Sequence, residues 1–290
     1  MLITIENGSL SLTVDTLGAQ MMSLQKNGTE YLWQGDSKYW GDRAPILFPF
    51  IARLTNNSYT LGGKRYPMTI HGFANASAFS VAEQTGDTLV LELSANEKTL
   101  VQYPIDFVLR VIFQLEGDTL KTTYHVENRS GMTMPFGIGG HPGFRVPMGE
   151  NEKFEDYYLE FSLPCQPDRV GFTPQVYLSG QDERYPLEED RRISLSHGLF
   201  DEDAIILKNM AREVTLKSPA SCHSVTVAYP QMPYLGIWHW PHTDAPYVCI
   251  EPWSSLPSRQ DVVEEFSCKS DLVQLESGGV YDNTWTITLS

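Results

Sequence analysis

The sequence predicts an all-β protein, a large antiparallel β-sandwich or barrel built from many short strands. Apolar residues alternate with polar ones in segment after segment, and β-branched and aromatic residues dominate these segments. The 22 glycines and 18 prolines are spread along the whole chain rather than collected in one linker. No long segment repeats apolar residues at the 3.6-residue period of a helix. This combination favours antiparallel sheets over a helical or alternating α/β fold.

Two hairpins are the clearest elements. Residues 1–15 alternate on both sides of Asn7-Gly8, a pair of residues that favours a tight two-residue turn. Residues 108–126 form two apolar runs around Glu116-Gly117-Asp118. We therefore expect a hairpin at each position.

Further strands follow from the same composition of β-branched and aromatic residues. They are predicted over 88–93, 204–207, 214–216, 224–228, 247–250 and 284–289. No repeat, low-complexity block or break in composition divides the chain. We expect residues 1–290 to form a single domain.

Charge and composition exclude several classes of function. The 290 residues include 21 Lys and Arg against 36 Asp and Glu, a net charge of −15. Such an acidic chain is a poor partner for nucleic acid or an anionic membrane. The longest apolar stretch, 44–52, contains two prolines and is too short to span a bilayer. The chain begins without a basic, apolar leader, which predicts a cytoplasmic protein.

The four cysteines are Cys165, Cys222, Cys249 and Cys268, and they have no CxxC spacing. We expect them to be reduced, buried thiols rather than zinc ligands. No nucleotide-binding or metal-binding motif is evident, so we expect no cofactor and no metal.

Two segments place a cationic or imidazole side chain beside glycine, proline and aromatic residues. In the first, Arg43 and Arg53 flank an apolar run, and an arginine there is either a ligand-binding fork of donors or a solvated loop residue. In the second, His71 is followed by Gly72 and an aromatic residue. His71 is either a general acid or a histidine at the edge of the core.

Two further segments carry the strongest candidates. His141 lies in FGIGGHPGF, where four glycines and a proline predict an unusual, ordered backbone around a positioned histidine. Glu251 ends an apolar strand and is followed by Pro-Trp. Partial burial there would raise its pKa and suit it to act as a base. Period two places Cys249 and Glu251 on one face of that strand.

Acidic and aromatic residues complete the candidate site. Asp201 and Asp203 precede an apolar strand, where they either bind ligand hydroxyls or belong to a solvated turn. Trp238, Trp240 and Trp253 lie close to Glu251 in the sequence. Their rings either stack on the apolar face of a sugar or belong to the core.

Together these segments resemble the aldose 1-epimerase (galactose mutarotase-like) family, and most closely its LacX-like branch. The similarity runs through YLWQGDSKYW, PILFPFIARL, IHGF, FGIGGHPGF, LFDEDAII, GIWHWP and CIEPWSSLP in that order. The resemblance implies the galactose mutarotase supersandwich, a large antiparallel β-sandwich. It also implies an isomerase of carbohydrate metabolism, including galactose metabolism, that acts on a neutral aldohexose as a monomer or homodimer.

The resemblance also implies residue roles. Glu251 matches the family's catalytic base and His141 its catalytic acid. His71 matches a second active-site histidine, Arg53 the substrate-binding arginine, and Asp201 or Asp203 the hydroxyl-binding aspartate. Two positions depart from the galactose enzymes, since Ala52 and Gly140 replace two asparagines. These departures bear on which sugar the protein binds more than on which reaction it catalyses.

Three other functions remain open from the sequence. Arg43 before PILFPF resembles the basic loop of hexose-6-phosphate epimerases of the same superfamily, although the acidic charge of the chain disfavours a phosphorylated sugar. A non-catalytic carbohydrate-binding protein would use the aromatic residues alone. A glycosidase would require a second carboxylate to act with Glu251.

Overall fold

The computed structural model describes all residues, 1–290, and consists almost entirely of strands. One short helix, α1 (Glu97–Gln102), and four single-turn 3-10 helices interrupt them, at Thr55–Asn57, Ala74–Ala76, Phe154–Asp156 and His197–Phe200. The strands are β1 (Leu2–Glu6), β2 (Leu10–Asp15), β3 (Gln20–Lys26), β4 (Thr29–Glu30), β5 (Ile46–Leu47), β6 (Ser58–Leu61), β7 (Lys64–Pro67), β8 (Ser80–Gln84), β9 (Thr88–Ser94), β10 (Phe107–Glu116), β11 (Thr119–Asn128), β12 (Met134–Phe136), β13 (Gly139–Gly140), β14 (Gly143–Arg145), β15 (Tyr158–Phe161), β16 (Asp168–Arg169), β17 (Glu183–Arg184), β18 (Arg192–Ser194), β19 (Ile205–Lys208), β20 (Glu213–Lys217), β21 (Ser224–Ala228), β22 (Tyr234–Trp238), β23 (Tyr247–Trp253), β24 (Val273–Leu275) and β25 (Val280–Leu289).

Two large antiparallel sheets form the body of the protein. The nine-stranded sheet has the order β18-β15-β20-β21-β25-β11-β10-β9-β8. The eight-stranded sheet has the order β17-β16-β19-β22-β23-β13-β5, and β14 also pairs with β23. A four-stranded sheet, β1-β2-β3-β4, and two small hairpin-sized sheets complete the fold. The predicted all-β class and antiparallel sandwich are confirmed.

Both predicted hairpins are present. β1 pairs with β2 up to Glu6 and Ser11, on either side of Asn7-Gly8. β10 pairs with β11 up to Glu116 and Thr119. The six other predicted strands are also present, and β23 and β25 extend beyond the predicted limits. The sequence pattern missed α1, whose six residues are too few to show a helical period but which Asn96 caps through its side chain.

The two large sheets pack face to face over the core. Along β11 and β25 every second residue is buried, as one core-facing surface of a sheet requires. A Cβ built on Gly140 of β13 would lie only 2.8 Å from the indole of Trp285 in β25. The largest cluster of the core contains 65 buried residues drawn from both sheets. The single-domain organisation remains a prediction that this continuous core supports.

The central strand β23 is buried along its whole length, so both of its faces are covered. Val248 and Ile250 join the main core, whereas Cys249 packs in a separate aromatic cluster on the opposite face. Glu251 shares the face of Cys249, as the period of a strand requires. Glu251 was expected at the end of its strand, but it lies inside β23, which continues through Pro252 to Trp253.

The expectation of four buried thiols was wrong. All four cysteines are free, but only Cys249 is buried, whereas Cys222 and Cys268 are exposed and Cys165 is half-buried. Spacing alone carries no information on which face of a strand or loop a cysteine occupies.

The protein has no helix with the length and apolar character needed to cross a membrane.

Candidate active site

A cavity of about 610 Å³ opens on the face of the eight-stranded sheet that turns away from the main core. Glu251 and His141 belong to its lining. His141 Nε2 lies 3.2 Å from Glu251 Oε2. The full lining consists of Trp40, Asp42, Ala52, Arg53, Ile70, His71, Asn75, His141, Val176, Asp203, Ala204, Trp238, Trp240, Pro241, His242, Glu251 and Trp253.

His141 reaches Glu251 because two short strands flank it. β13 and β14 both pair with β23, and the chain between them breaks the ladder at His141 and Pro142. The backbone N–H of His141 donates to Pro45 O at 3.1 Å, and Pro142 O accepts from Ile250 N at 3.1 Å. This break in the strand pairing holds the imidazole of His141 beside the carboxyl group of Glu251.

The glycines around His141 serve close packing. The sequence predicts an unusual backbone there, but none of these glycines has a positive φ. A Cβ on Gly137 would lie 2.1 Å from Ser255 Oγ, and one on Gly139 would lie 2.7 Å from Pro252 O. The segment therefore needs glycine because neighbouring atoms leave no room for a side chain. The conformational interpretation was wrong, although the segment does position His141.

Burial controls the protonation of the central pair. Glu251 is 1 % exposed and His141 is 9 % exposed. Loss of solvation raises the pKa of Glu251 well above its usual value, and it lowers the pKa of His141 well below 6.5. Both shifts favour a protonated Glu251 and a neutral His141, so the pair carries no net charge. Glu251 Oε2 makes no hydrogen bond in the structure, and moving its proton across the 3.2 Å to His141 Nε2 would give a carboxylate base and an imidazolium acid. Such a pair can take a proton at one end and give one at the other without leaving a net charge in the protein.

His71 is the second imidazole of the cavity. Its ring centroid lies 5.6 Å from that of His141, with the two rings nearly perpendicular. Its Nδ1 accepts a hydrogen bond from Ala52 N at 3.2 Å, which leaves the proton of the neutral ring on Nε2. Burial, with the nearby charge of Arg53, lowers the pKa of His71 to about 4. His71 is therefore a neutral N–H donor at pH 7.

The structure separates the two candidate aspartates. Asp203 lines the cavity together with Arg53 and Glu251. Asp201 lies outside it, and its Oδ1 accepts from His242 N at 3.3 Å and lies 3.2 Å from His242 Nδ1. The geometry therefore places Asp203, and not Asp201, where it can contact a ligand beside Glu251. Sequence periodicity put both residues on one face, but Asp203 has a φ of +75° and breaks that alternation.

Four tryptophans surround the pair. The ring of Trp40 lies 4.9 Å from that of His141, and Trp238 meets the same imidazole edge-on at 5.6 Å. Trp253 is almost fully buried, whereas Trp240 is 46 % exposed at the rim. Trp238 and Trp253 both line the cavity, as expected for residues that contact a ligand. The exposed ring of Trp240 offers an apolar surface to whatever enters.

The cavity concentrates strained backbone. Fourteen non-glycine residues of the protein have φ in the left-handed region, and five of them line this cavity: Ala52, His71, Val176, Asp203 and His242. Such conformations cost about 1–3 kcal/mol each and persist where the surrounding structure enforces them. The clustering marks the cavity as a functional site independently of its charges.

One group of side chains can hold a metal ion. His141, Cys249 and Glu251 each place a ligand atom within 4.8 Å of the others, and all three are buried. Histidine, thiolate and carboxylate are common ligands of Zn²⁺. The sequence spacing gave no indication of this set, because β23 and the 141 segment meet only in the folded chain.

Several lining residues were not anticipated as ligand contacts. Trp40 lies in YLWQGDSKYW, one of the segments that carry the family resemblance, and Asn75 lies two residues beyond IHGF, but the sequence assigned a role to neither. Val176 and His242 lie in loops without a recognisable motif. Their left-handed conformation marks them, but it is visible only in the structure.

A β-sandwich whose cavity holds a buried carboxyl–imidazole pair among tryptophans has the architecture of a carbohydrate-active acid–base enzyme. The family model described as aldose 1-epimerase matches residues 1–287, and the chain belongs to that family.

Relatives and solved structures agree with this assignment. The chain is 35 % identical over 265 residues to the plasmid-encoded protein LacX of Lactococcus lactis subsp. lactis, covering 88 % of each chain. It superposes on a galactose mutarotase related enzyme from Lactobacillus acidophilus with a TM-score of 0.95 and 33 % identity, over 100 % of this chain and 97 % of the other. It also superposes on a galactose mutarotase-like protein from Lactobacillus casei ATCC 334, with a TM-score of 0.93 and 33 % identity over 100 % of both chains. The protein is therefore an epimerase-type enzyme with a sugar substrate, of the LacX-like branch.

Proposed function

We propose that the protein is an aldose 1-epimerase that interconverts the α and β anomers of a neutral aldohexose. The observation that carries the proposal is the 3.2 Å contact between Glu251 and His141 at a cavity lined by tryptophans. Two titratable groups whose pKa values are shifted in opposite directions are typical of an acid–base pair. Membership of the aldose 1-epimerase family supports the same reaction.

The reaction opens and closes the sugar ring. Glu251 takes the proton of the C1 hydroxyl, and His141 gives a proton to the ring oxygen O5, so the C1–O5 bond breaks and C1 becomes a carbonyl. Rotation about C1–C2 presents the other face of the carbonyl to O5. The two residues then act in reverse, and the ring closes as the other anomer. No electron or group is gained or lost over the cycle.

The remaining cavity residues hold the sugar. Arg53 and the Nε2–H of His71 are donors, and the carboxylate of Asp203 is an acceptor, so they can bind hydroxyl groups of both orientations. The tryptophan rings cover the apolar face of the pyranose. These contacts keep C1 and O5 within reach of the pair during ring opening.

A neutral sugar fits the charges better than a phosphorylated one. Arg53 is the one permanently cationic residue of the lining, against the two aspartates Asp42 and Asp203. Arg43, the residue that suggested a phosphate site, lies outside the cavity, and its guanidinium donates to Gln34 Oε1 at 2.7 Å and to Met22 O. A phosphate dianion would therefore meet more negative than positive charge.

Anomer exchange followed by NMR tests the proposal. Freshly dissolved α-D-glucose, α-D-galactose and their 6-phosphates are compared in one buffer. We expect the enzyme to accelerate exchange of at least one neutral hexose well above the uncatalysed rate and to act poorly on the phosphates.

Two results would contradict it. A clear preference for the 6-phosphates would assign the protein to the sugar-phosphate epimerases. Saturable binding of a hexose without faster exchange would assign it to the non-catalytic carbohydrate-binding proteins. The Glu251→Gln variant at the same concentration controls for acceleration by impurities.

A further inference from the structure

A small internal cavity lies beside His141, between the two large sheets. Residues 140–142 line it on one side, and Thr122, Tyr124 and Trp285 of the nine-stranded sheet line it on the other. His141 is the only residue that lines both this internal cavity and the active-site cavity. The imidazole is therefore the boundary between the two spaces.

The internal cavity has the size of one water molecule. The centre of a water molecule has about 10 Å³ of free space there, and a single bound water needs roughly 10–15 Å³. Apolar cavities of the interior stay empty, whereas a polar one holds a water that has two to four partners. The chemistry of the lining therefore decides whether a water occupies this space.

Strand pairing brings the polar side chains of the lining together. Thr122 of β11 lies directly opposite Trp285 of β25, and Tyr124 lies two residues along β11 on the same buried face. Gly140 of β13 meets this face closely, since a Cβ there would lie 2.8 Å from the indole of Trp285 and 3.1 Å from the hydroxyl of Tyr124. The hydroxyl of Tyr124 therefore lies next to the chain segment that carries His141.

Four polar atoms of this lining have no hydrogen-bond partner among the protein atoms. They are Thr122 Oγ1, Tyr124 Oη, Trp285 Nε1 and His141 Nδ1, and all four are buried. Buried polar groups of folded proteins are almost always hydrogen-bonded to protein or to ordered water. Four unpartnered atoms around one water-sized space therefore indicate a common partner in that space.

The position of His141 decides which of its nitrogens carries the proton. Nε2 lies 3.2 Å from Glu251 Oε2 and is the atom that can receive a proton from the carboxyl group. A neutral imidazole that receives a proton on Nε2 carries its own proton on Nδ1. The Nδ1–H group is then a buried donor that needs an acceptor.

We propose that one buried water molecule occupies the internal cavity and holds the imidazole of His141 in the Nδ1–H form. This water accepts from His141 Nδ1–H and Trp285 Nε1–H, and it donates to the hydroxyl oxygens of Thr122 and Tyr124. Two bonds accepted and two donated use the full capacity of a water molecule. Thr122, Tyr124 and Trp285 are thus positioning residues for the acid, a role that rests on the proposed function, whereas the water site does not.

A high-resolution crystal structure of the unmodified protein tests the water site. We expect one ordered water within hydrogen-bonding distance of His141 Nδ1 and of at least one of the two hydroxyl groups. Unoccupied space there, or a direct bond from Nδ1 to a protein atom, would overturn the proposal.

NMR of the histidine side chains tests the proton on Nδ1. Long-range ¹H–¹⁵N spectra distinguish the two neutral forms of each histidine, and the signals missing from His141→Asn identify His141. We expect the Nδ1–H form in the free protein. A ring protonated on Nε2 alone would overturn the proposal, because it cannot receive a proton from Glu251.

Conservative variants test the positioning role. Thr122→Val and Tyr124→Phe each remove one hydroxyl group and keep the shape of the side chain. Each should lower kcat by about 3–10-fold, as expected for loss of one hydrogen bond, with KM unchanged. The matched controls are Thr123→Val, at a residue that bonds Thr284 on the opposite face of β11, and Tyr229→Phe, at a buried residue that donates to Ala211 O.

The kinetic outcomes separate this proposal from the proposed function. Equal losses of kcat in the hydroxyl variants and in their controls would overturn the positioning role and leave the epimerase unaffected. A rise in KM with kcat unchanged would do the same. Absence of mutarotation in the unmodified protein, with the water and the Nδ1–H form both observed, would overturn the proposed function and leave the water site established.

Discussion

At the residue scale, the site depends on two groups that burial drives toward neutrality. Burial disfavours the charged forms of Glu251 and His141, because neither side chain is solvated. Glu251 Oε2 and His141 Nε2 lie 3.2 Å apart without a hydrogen bond between them, so a proton has only this distance to move from the carboxyl group to the imidazole. That transfer converts the neutral pair into a carboxylate base and an imidazolium acid.

Replacing either residue should abolish most of the activity. Positioned proton-transfer groups contribute roughly 10²–10⁴-fold, so we expect Glu251→Gln and His141→Asn each to lower kcat by that factor, about 3–5 kcal/mol of barrier. Polarimetry on freshly dissolved α-sugar measures the loss. Glu83→Gln, on an exposed edge strand, is the matched control.

The double variant sharpens this prediction. Residues that act as one unit have non-additive effects, so Glu251→Gln combined with His141→Asn should lose little more than either alone. Multiplicative losses would show that the two residues act in independent steps. Wild-type rates in either single variant would remove that residue from the chemistry.

At the scale of elements, glycines let separate segments meet at the site. Gly72 follows His71 with a φ of +76°, and a Cβ there would lie 2.2 Å from Phe48 O. Phe48 N donates to His71 O at 3.2 Å, and His71 N donates to Ala52 O at 3.0 Å. Backbone hydrogen bonds to Phe48 and Ala52 therefore hold His71 in place, and the close approach of Phe48 leaves no room for a side chain at position 72.

We expect Gly72→Ala to lower both stability and activity. The left-handed backbone alone costs an alanine about 1–3 kcal/mol, and the collision with backbone atoms of Phe48 adds to it. Urea unfolding gives the loss of stability, and KM reports displacement of His71. Gly131→Ala is the control, since a Cβ there meets no atom within 4 Å and its φ is not positive. Equal stability of the two variants would contradict the packing argument.

At the scale of the whole molecule, buried neutral histidines couple stability to pH. His71 and His239 both have a pKa of about 4, lowered mainly by burial, against 6.5 in an exposed chain. His239 is fully buried, and its Nδ1 must donate to Trp240 O at 2.8 Å because a carbonyl only accepts. Its Nε2 therefore accepts from His197 Nδ1 at 3.2 Å, which requires a neutral ring.

Acid should therefore destabilise the protein. Between pH 6.5 and 4 the unfolded chain binds more protons at these histidines than the folded chain, so stability is full above about pH 6.5 and declines as the pH falls toward 4. The urea midpoint should drop between pH 7 and pH 5, with His239 contributing on the order of 1 kcal/mol.

Variants identify the source of this dependence. His239→Asn should reduce the decline of the midpoint between pH 7 and pH 5. His223→Asn, which removes a histidine that lies outside the active-site cavity, is the comparison. A midpoint that does not move over this range, or an unchanged decline in His239→Asn, would contradict the assignment.

The sequence by itself predicted the two hairpins, six further strands, the family resemblance and the candidate residues of the site. Alternation and turn residues are local signals, so the two hairpins and β21 could be predicted from a few neighbouring residues. His71, His141 and Glu251 stand out for the same reason, since each lies in a short segment of restricted composition. Their roles in the reaction remain proposals.

Only the tertiary structure decided which residues meet. Asp203 rather than Asp201 lines the cavity, and Arg43 turns away from it toward Gln34. Cys249 lies within 4.8 Å of His141, although 108 residues separate them in the chain. These outcomes depend on backbone angles at single residues and on which strands pair. Neither leaves a signal in the local pattern of apolar and polar residues, because each is enforced by contacts from distant parts of the chain.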